Sequence, residues 1–244
     1  MKRLYSIAVL ALSLSLVACG KEEGNGSTPS GDPVAAVAAP AGTSWADTIN
    51  QTPEGHFVMG NPNAAVKVVE FGSYTCSHCA EFSKEASEEI RELVNTGKMN
   101  FEFRPFLRDP IDLTSALLAR CGGKDVFFPM TEQLMANQQA MFETLQSNEN
   151  ALKAAETAAP AQRFGIIASA LGFIEFAQQR GISESQARQC LADSATAEKL
   201  AADVQKVSEE YDIQGTPSFV INGALQENTS NWATLRAKLR EAGI

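Results

Sequence analysis

Apolar positions change their period several times along the chain. Phe57-Val58-Met59 is a short apolar run that predicts a strand, and Gly60-Asn61-Pro62-Asn63 after it has the residue types of a turn. Val66-Lys67-Val68-Val69-Glu70-Phe71 is rich in β-branched residues and predicts a central strand that ends at Gly72. From Glu81 to Thr96 the period lengthens. Phe82, Ala86, Ile90 and the Leu93/Val94 pair recur at helical spacing, while Glu85, Glu88, Glu89 and Glu92 form a solvated face. Asn95-Thr96-Gly97 stops that helix, and Phe101-Glu102-Phe103-Arg104-Pro105-Phe106 alternates as another strand. Leu113 to Tyr211 then shows helical periodicity and no strand pattern, punctuated at Gly122-Gly123, Phe128-Pro129 and Ala159-Pro160. Ser218-Phe219-Val220-Ile221 returns to strand character. Asn222-Gly223 signals a two-residue hairpin into Ala224-Leu225-Gln226, and Trp232, Leu235 and Leu239 mark a terminal helix. The predicted order is ββαβ, a helical block, then ββα. That is an α/β sheet interrupted by helices.

The 244 residues suit one domain with an insertion. The formal net charge is −9 and no basic stripe is present, which excludes nucleic acid as a partner, because phosphate binding needs clustered Lys and Arg. The first residues are not part of the fold. Lys2 and Arg3 precede an apolar run, Leu4 to Val17, too short to span a bilayer comfortably. Leu16-Val17-Ala18-Cys19 resembles the lipobox of bacterial lipoproteins. The resemblance implies a signal peptide at 1–18, a lipid on Cys19 and attachment to a membrane in the periplasm, with Gly20 leaning towards the outer membrane. Several acyl chains at one site hold a protein firmly, since each buried methylene adds about 0.8 kcal/mol. Residues 19–43, rich in Gly, Ala, Pro, Ser and Thr, read as a flexible tether. The expected boundaries beyond it are 44–110 for the first half of the α/β domain, 111–200 for the helical insertion and 201–244 for the second half.

Of five cysteines, Cys19 is assigned to lipid, leaving Cys76, Cys79, Cys121 and Cys190. A Cys-x-x-Cys at a helix start sets the first sulfur near unsatisfied backbone N–H groups, which stabilise the thiolate that attacks disulfides. His78, between the two, would add to that stabilisation if it faced Cys76. Haem attachment needs a His at 80, where Ala80 stands. Zinc needs two more ligands than the motif supplies, and a plain crosslink would be strained. No metal or cofactor is expected, because a dithiol carries two electrons itself.

Val68-Val69-Glu70-Phe71-Gly72-Ser73-Tyr74-Thr75-Cys76-Ser77-His78-Cys79 resembles the active site of the DsbA-like branch of the thioredoxin superfamily. Gly215-Thr216-Pro217-Ser218-Phe219-Val220-Ile221-Asn222-Gly223 resembles its cis-proline segment. The likeness covers residues 55–244. It implies a thioredoxin-like fold with an inserted helical domain (βαβ, helices, ββα). It implies that Pro217 is cis and packs against the cysteine pair, and that Thr216 offers backbone hydrogen bonds to a bound peptide. Glu70 stands where the family often has a partly buried acid that relays a proton from Cys79. Arg104 is a candidate partner for Glu70. Cys121 and Cys190 are expected to form a structural disulfide, stabilising by roughly 4 kcal/mol in the chain-entropy model. The implied activity is disulfide formation in exported proteins, with reduced exported polypeptides as substrates, a DsbB-type membrane partner for reoxidation, and a monomer. Ser77 stands where the family often has Pro, so the oxidising strength is open. The rivals are a disulfide reductase or isomerase, a chaperone-like lipoprotein that keeps the fold without catalysis, and a metal carrier using Cys76, His78 and Cys79. The separate dimerisation domain of known periplasmic isomerases has no counterpart between Trp45 and the first core strand.

Overall fold

A computed structural model describes residues 31–244. The expected leader, the lipid-bearing Cys19 and the first part of the tether lie outside the described residues. Six strands form one sheet in the order β1-β2-β4-β3-β5-β6. They are β1 (Ile49–Gln51), β2 (Phe57–Gly60), β3 (Val66–Gly72), β4 (Met99–Pro105), β5 (Ser218–Ile221) and β6 (Ala224–Leu225). Only β3 and β4 pair in parallel. A parallel pair needs a crossover, and α1 (Ser77–Asn95) supplies it. The chain therefore leaves the end of β3 directly into the N-terminus of α1, with the cysteine motif at the junction.

The strand β3 is central, and its alternation sorts its residues to two faces. Val66, Val68 and Glu70 are buried on the side covered by α1, while Lys67 is exposed and Val69 half-buried on the other. The helix α1 buries Cys79, Phe82, Ala86, Ile90 and Val94, a stripe at helical spacing. Phe82 meets Phe219 of β5 with ring centroids 4.8 Å apart. At the hairpin, Asn222 and Gly223 both have positive φ, 49° and 83°, as an Asn-Gly type I′ turn requires.

Between β4 and β5 lie α2 (Pro110–Cys121), α3 (Lys124–Ala136), α4 (Gln138–Ser147), α5 (Glu149–Thr157), α6 (Pro160–Ala170), α7 (Phe173–Gln178), α8 (Glu184–Leu191) and α9 (Ser194–Tyr211). The chain ends in α10 (Trp232–Glu241), opened by an Asn231–Thr234 capping box. The insertion shares one core with the sheet: Phe127 packs on Phe57 at 4.5 Å and on Phe103 at 6.3 Å between ring centroids.

Four details differ from the sequence expectation. The three-residue strand β1 was not foreseen; it pairs with β2 at the sheet edge. Phe128-Pro129 does not break a helix, because Pro129 sits inside α3. An interior proline costs about 3 kcal/mol, and the buried Phe127, Phe128 and Met130 around it hold the helix in place. The boundary expected after residue 200 falls within α9. The stretch 31–43, expected as a free tether, runs along the body. Gly31 N–H donates to Glu241 O at 2.7 Å, Val34 N–H to Gly243 O at 3.0 Å and Val37 N–H to Thr96 O at 2.9 Å. Trp45 Nε1 donates to Val37 O at 2.7 Å. Backbone hydrogen bonds and the half-buried Val34 hold this stretch, a pattern too sparse for composition to show.

Candidate active site

Cys76 is the N-cap of α1, with φ −92° and ψ 118°. Its sulfur thus faces the first-turn N–H groups, and both Cys76 and Cys79 are buried free thiols. The Cys76 thiol is pulled down to about 5. The hydrogen bond from the Cys79 thiol is the largest cause; burial opposes it, and the Thr216 side chain and the backbone N–H groups of Cys79 and His78 add to it. The Cys79 thiol is pushed far up by its bond to Cys76, by burial and by the nearby Glu70 charge. One sulfur is poised to ionise and the other to stay protonated. This is the division of labour that a nucleophile and a resolving thiol need.

Two further expectations concern the surroundings of the pair. The Thr216–Pro217 peptide bond is cis. In its thiol form Cys76 donates to Thr216 O at 3.2 Å, so residues 140 apart in sequence meet at the sulfur. Glu70 is 4 % exposed. Burial, and then the Cys76 charge, push its carboxyl up to about 8. Gly72 makes room for it, since a Cβ there would lie 2.5 Å from Phe103 and 2.8 Å from Glu70 Oε1. Glu70 also borders a cavity of about 30 Å³ with Phe82, Ser83, Ser87, Thr131 and Glu132. That is enough for one water among several polar partners.

His78 is placed differently from the expectation. Its imidazole is 76 % exposed and faces Glu81 at 4.0 Å, so His78 reaches the Cys76 sulfur through its backbone N–H and not through its ring. Arg104 does not meet Glu70. The register sets Phe71 beside Arg104 and Glu70 beside Phe103, so the two side chains point to opposite faces of the sheet. Arg104 Nε instead donates to Glu102 Oε1 at 2.6 Å. His56 is buried, and desolvation holds its imidazole down to about 4. Cys121 and Cys190 are joined, S–S 2.09 Å, tying the end of α2 to α8 across a separation of 69 residues.

The loop before Cys76 carries polar groups that the sequence reading passed over. Asp112, fully buried in the first turn of α2, accepts from the Ser73 hydroxyl at 2.9 Å and from the Thr75 N–H at 3.1 Å. Gln138, the first residue of α4, donates to the Tyr74 and Cys76 carbonyls at 2.8 and 3.0 Å. Asp109-Pro110, a helix-start signature of N-cap and first helical residue, was the one local signal pointing to this region. Among the described residues, no three of His, Cys, Asp and Glu group as metal ligands. No described helix is long and apolar enough to cross a membrane.

Comparison with known proteins agrees with this geometry. A family model described as thioredoxin matches residues 51–241. The crystal structure of a protein-disulfide isomerase from Novosphingobium aromaticivorans is 37 % identical, with TM-score 0.71, covering 75 % of this chain and 95 % of that one. The structure of Wolbachia pipientis alpha-DsbA1 shares the fold at 19 % identity and TM-score 0.61, over 79 % of this chain and 92 % of that one. A relative from Rickettsia bellii, named "Putative protein-disulfide oxidoreductase", is 26 % identical over 178 residues, and the chain spans 61 % of that protein's length. With its cysteine motif at the β3–α1 junction, its cis proline opposite and its helices inserted as in the DsbA-like structures, the chain belongs to the thioredoxin family.

Proposed function

We propose that this protein is a thiol:disulfide oxidoreductase that promotes disulfide formation in exported polypeptides. The single observation that carries the reading is the placement of the free Cys76 sulfur at the N-terminus of α1, 3.2 Å from Thr216 O beside the cis Pro217, with the Cys79 thiol buried in the same turn.

The oxidised form holds a Cys76–Cys79 disulfide. A substrate thiolate attacks Cys76 Sγ, the S–S bond breaks, and Cys79 leaves as a thiolate that takes up a proton. The mixed disulfide is then attacked at the substrate sulfur by a second substrate thiolate. Cys76 leaves as the stabilised thiolate, the substrate gains a disulfide, and the protein keeps two electrons as a dithiol. Glu70 is suited to pass the proton to and from Cys79, being buried beside it and raised to about 8, near the working pH. Thr216 and Pro217 edge a groove of about 670 Å³ that also takes in Tyr211, Gln214 and Leu225, where an extended substrate chain can lie. Cys121–Cys190 is structural, far in sequence from the motif.

Reoxidation falls to a membrane partner of the DsbB type. The Leu16–Cys19 lipobox motif supports a lipid anchor in the periplasm, and Gly20 favours the outer over the inner membrane. Labelled palmitate is expected to enter the wild-type protein and not Cys19→Ser; no label on the wild type would exclude the anchor. The second reading is disulfide isomerase, favoured by the description of the Novosphingobium structure. Two assays separate the readings: formation of disulfides in a reduced, unfolded substrate, and rescue of a scrambled one. Disulfide formation with little rescue supports the oxidase; the reverse supports the isomerase.

A further inference from the structure

We infer that Gln138 and Asp112 of the helical insertion are positioning residues that set the reactivity of the cysteine pair by clamping the turn Ser73–Cys76. This rests on the thiol:disulfide reading of the same site.

The turn closes on itself through Cys76 N–H to Ser73 O at 3.2 Å. Its Ser73 and Thr75 hydroxyls, the Thr75 N–H and the Tyr74 and Cys76 carbonyls face the insertion. Asp112 accepts from the Ser73 hydroxyl through Oδ1 at 3.0 Å and Oδ2 at 2.9 Å, from the Thr75 N–H at 3.1 Å and from the Thr75 hydroxyl at 3.1 Å. The Arg108 N–H adds a further bond at 2.9 Å, and Asp109, at 2.8 Å, shares the single Thr75 hydroxyl proton with Asp112. On the opposite side of the turn the polarity reverses: Gln138 Nε2 donates to both Tyr74 O and Cys76 O. A carboxylate thus holds the donors and an amide holds the carbonyls. Both come from helices that the plain sheet-and-crossover unit lacks.

Both side chains are buried, Asp112 at 0 % and Gln138 at 6 % exposure. Burying a carboxylate is costly unless donors surround it, and apolar packing would join two layers at less cost. What the polar clamp adds is direction. The Cys76 carbonyl is held while its backbone is at φ −92° and ψ 118°, which keeps the sulfur over the first-turn N–H groups. Ser73, held by its hydroxyl, aims its own N–H at Cys79 Sγ at 3.4 Å. That donor supports the thiolate that Cys79 becomes when the disulfide opens. Releasing the clamp would let the Cys76 sulfur drift from its donors and would destabilise the reduced form.

Gln138→Met keeps shape and burial and removes both donors. Three quantities are read on it and on the wild type: the pH at which the Cys76 thiolate absorbs, the equilibrium constant with glutathione, and the urea midpoint. Gln138→Met is expected to move the thiolate midpoint up by half a unit or more. The glutathione equilibrium should shift at least threefold towards the oxidised protein. Asp112→Asn removes a negative charge, which by itself would move the midpoint down, so an upward shift there reports the loosened turn; a downward shift would remove Asp112 from the clamp. Ile167→Ala, a cavity in α6, is expected to lower the urea midpoint and leave the other two readings in place.

The inference is overturned if Gln138→Met loses stability while the midpoint and the glutathione constant stay at wild-type values. It is overturned equally if Ile167→Ala moves them as far. Should Gln138→Met not fold, Asp112→Asn decides by the sign of its shift. A wild-type protein that fails to exchange with glutathione would sink the underlying activity, a separate result.

Discussion

Cys76 and Glu70 make opposite demands on pH, and each can be checked alone. Cys76 is drawn down to about 5, so its alkylation by iodoacetamide should rise through a midpoint near pH 5, with Cys79 staying unmodified. Equal labelling of both sulfurs, or a midpoint near the ordinary thiol value of about 8.5, would contradict the asymmetry. Glu70 is raised from its ordinary value to about 8. An acid with a raised folded value opposes folding once pH exceeds its unfolded value, and the penalty grows until pH passes the folded value. Glu70→Gln should therefore match wild type below about pH 4.5. Between there and pH 8 it should become progressively more stable, by at least about 1 kcal/mol. Urea melts of the reduced protein, in which the Cys76 charge adds to the burial, measure it across that range, and a constant difference would sink the argument. The same substitution should slow exchange, since it removes the proton carrier beside Cys79.

At the level of elements, the Cys121–Cys190 link ties α2 to α8. In the chain-entropy model its removal in a double Cys→Ala variant costs up to about 4 kcal/mol. Denaturant melts read that loss; an unchanged midpoint would show that the insertion holds itself by packing alone. This is also the scale at which sequence reading divides into what could be seen and what could not. The β3–α1 junction and the Thr216–Pro217 segment were legible because each is written in contiguous residues with strong local preferences. The Asn222–Gly223 hairpin was legible for the same reason. The strand β1 was missed because three residues around the polar Asn50 carry too little pattern, and β2 decides their pairing. Pro129 misled because packing of its apolar neighbours outweighs a local helix penalty. Gln138 and Asp112 were invisible because they meet the active-site turn across dozens of residues, and nothing in a lone Gln or Asp announces such a contact. His78 shows a finer limit: its place in the motif does not tell that its backbone N–H faces Cys76 while its imidazole faces Glu81.

Taken whole, the proposed activity makes the molecule a redox couple whose reduced state is stabilised by what the Cys76 thiolate gains. That gain is a depressed-value effect. It is fully present in the reduced protein above the ordinary thiol value and is lost as pH falls through about 5. At pH 7 it favours the reduced form by on the order of 1–2 kcal/mol once solvent screening is allowed for. The reduced protein should then melt above the oxidised one at pH 7, with the gap closing towards pH 5. A disulfide whose reduced form is favoured is an oxidant. The equilibrium of the Cys76–Cys79 pair with glutathione at pH 7 therefore tests the reading most directly. The expected potential lies at or above that of protein disulfide isomerase, about −180 mV, towards the about −120 mV of DsbA. A potential near the about −270 mV of thioredoxin would contradict it and make this protein a reductase.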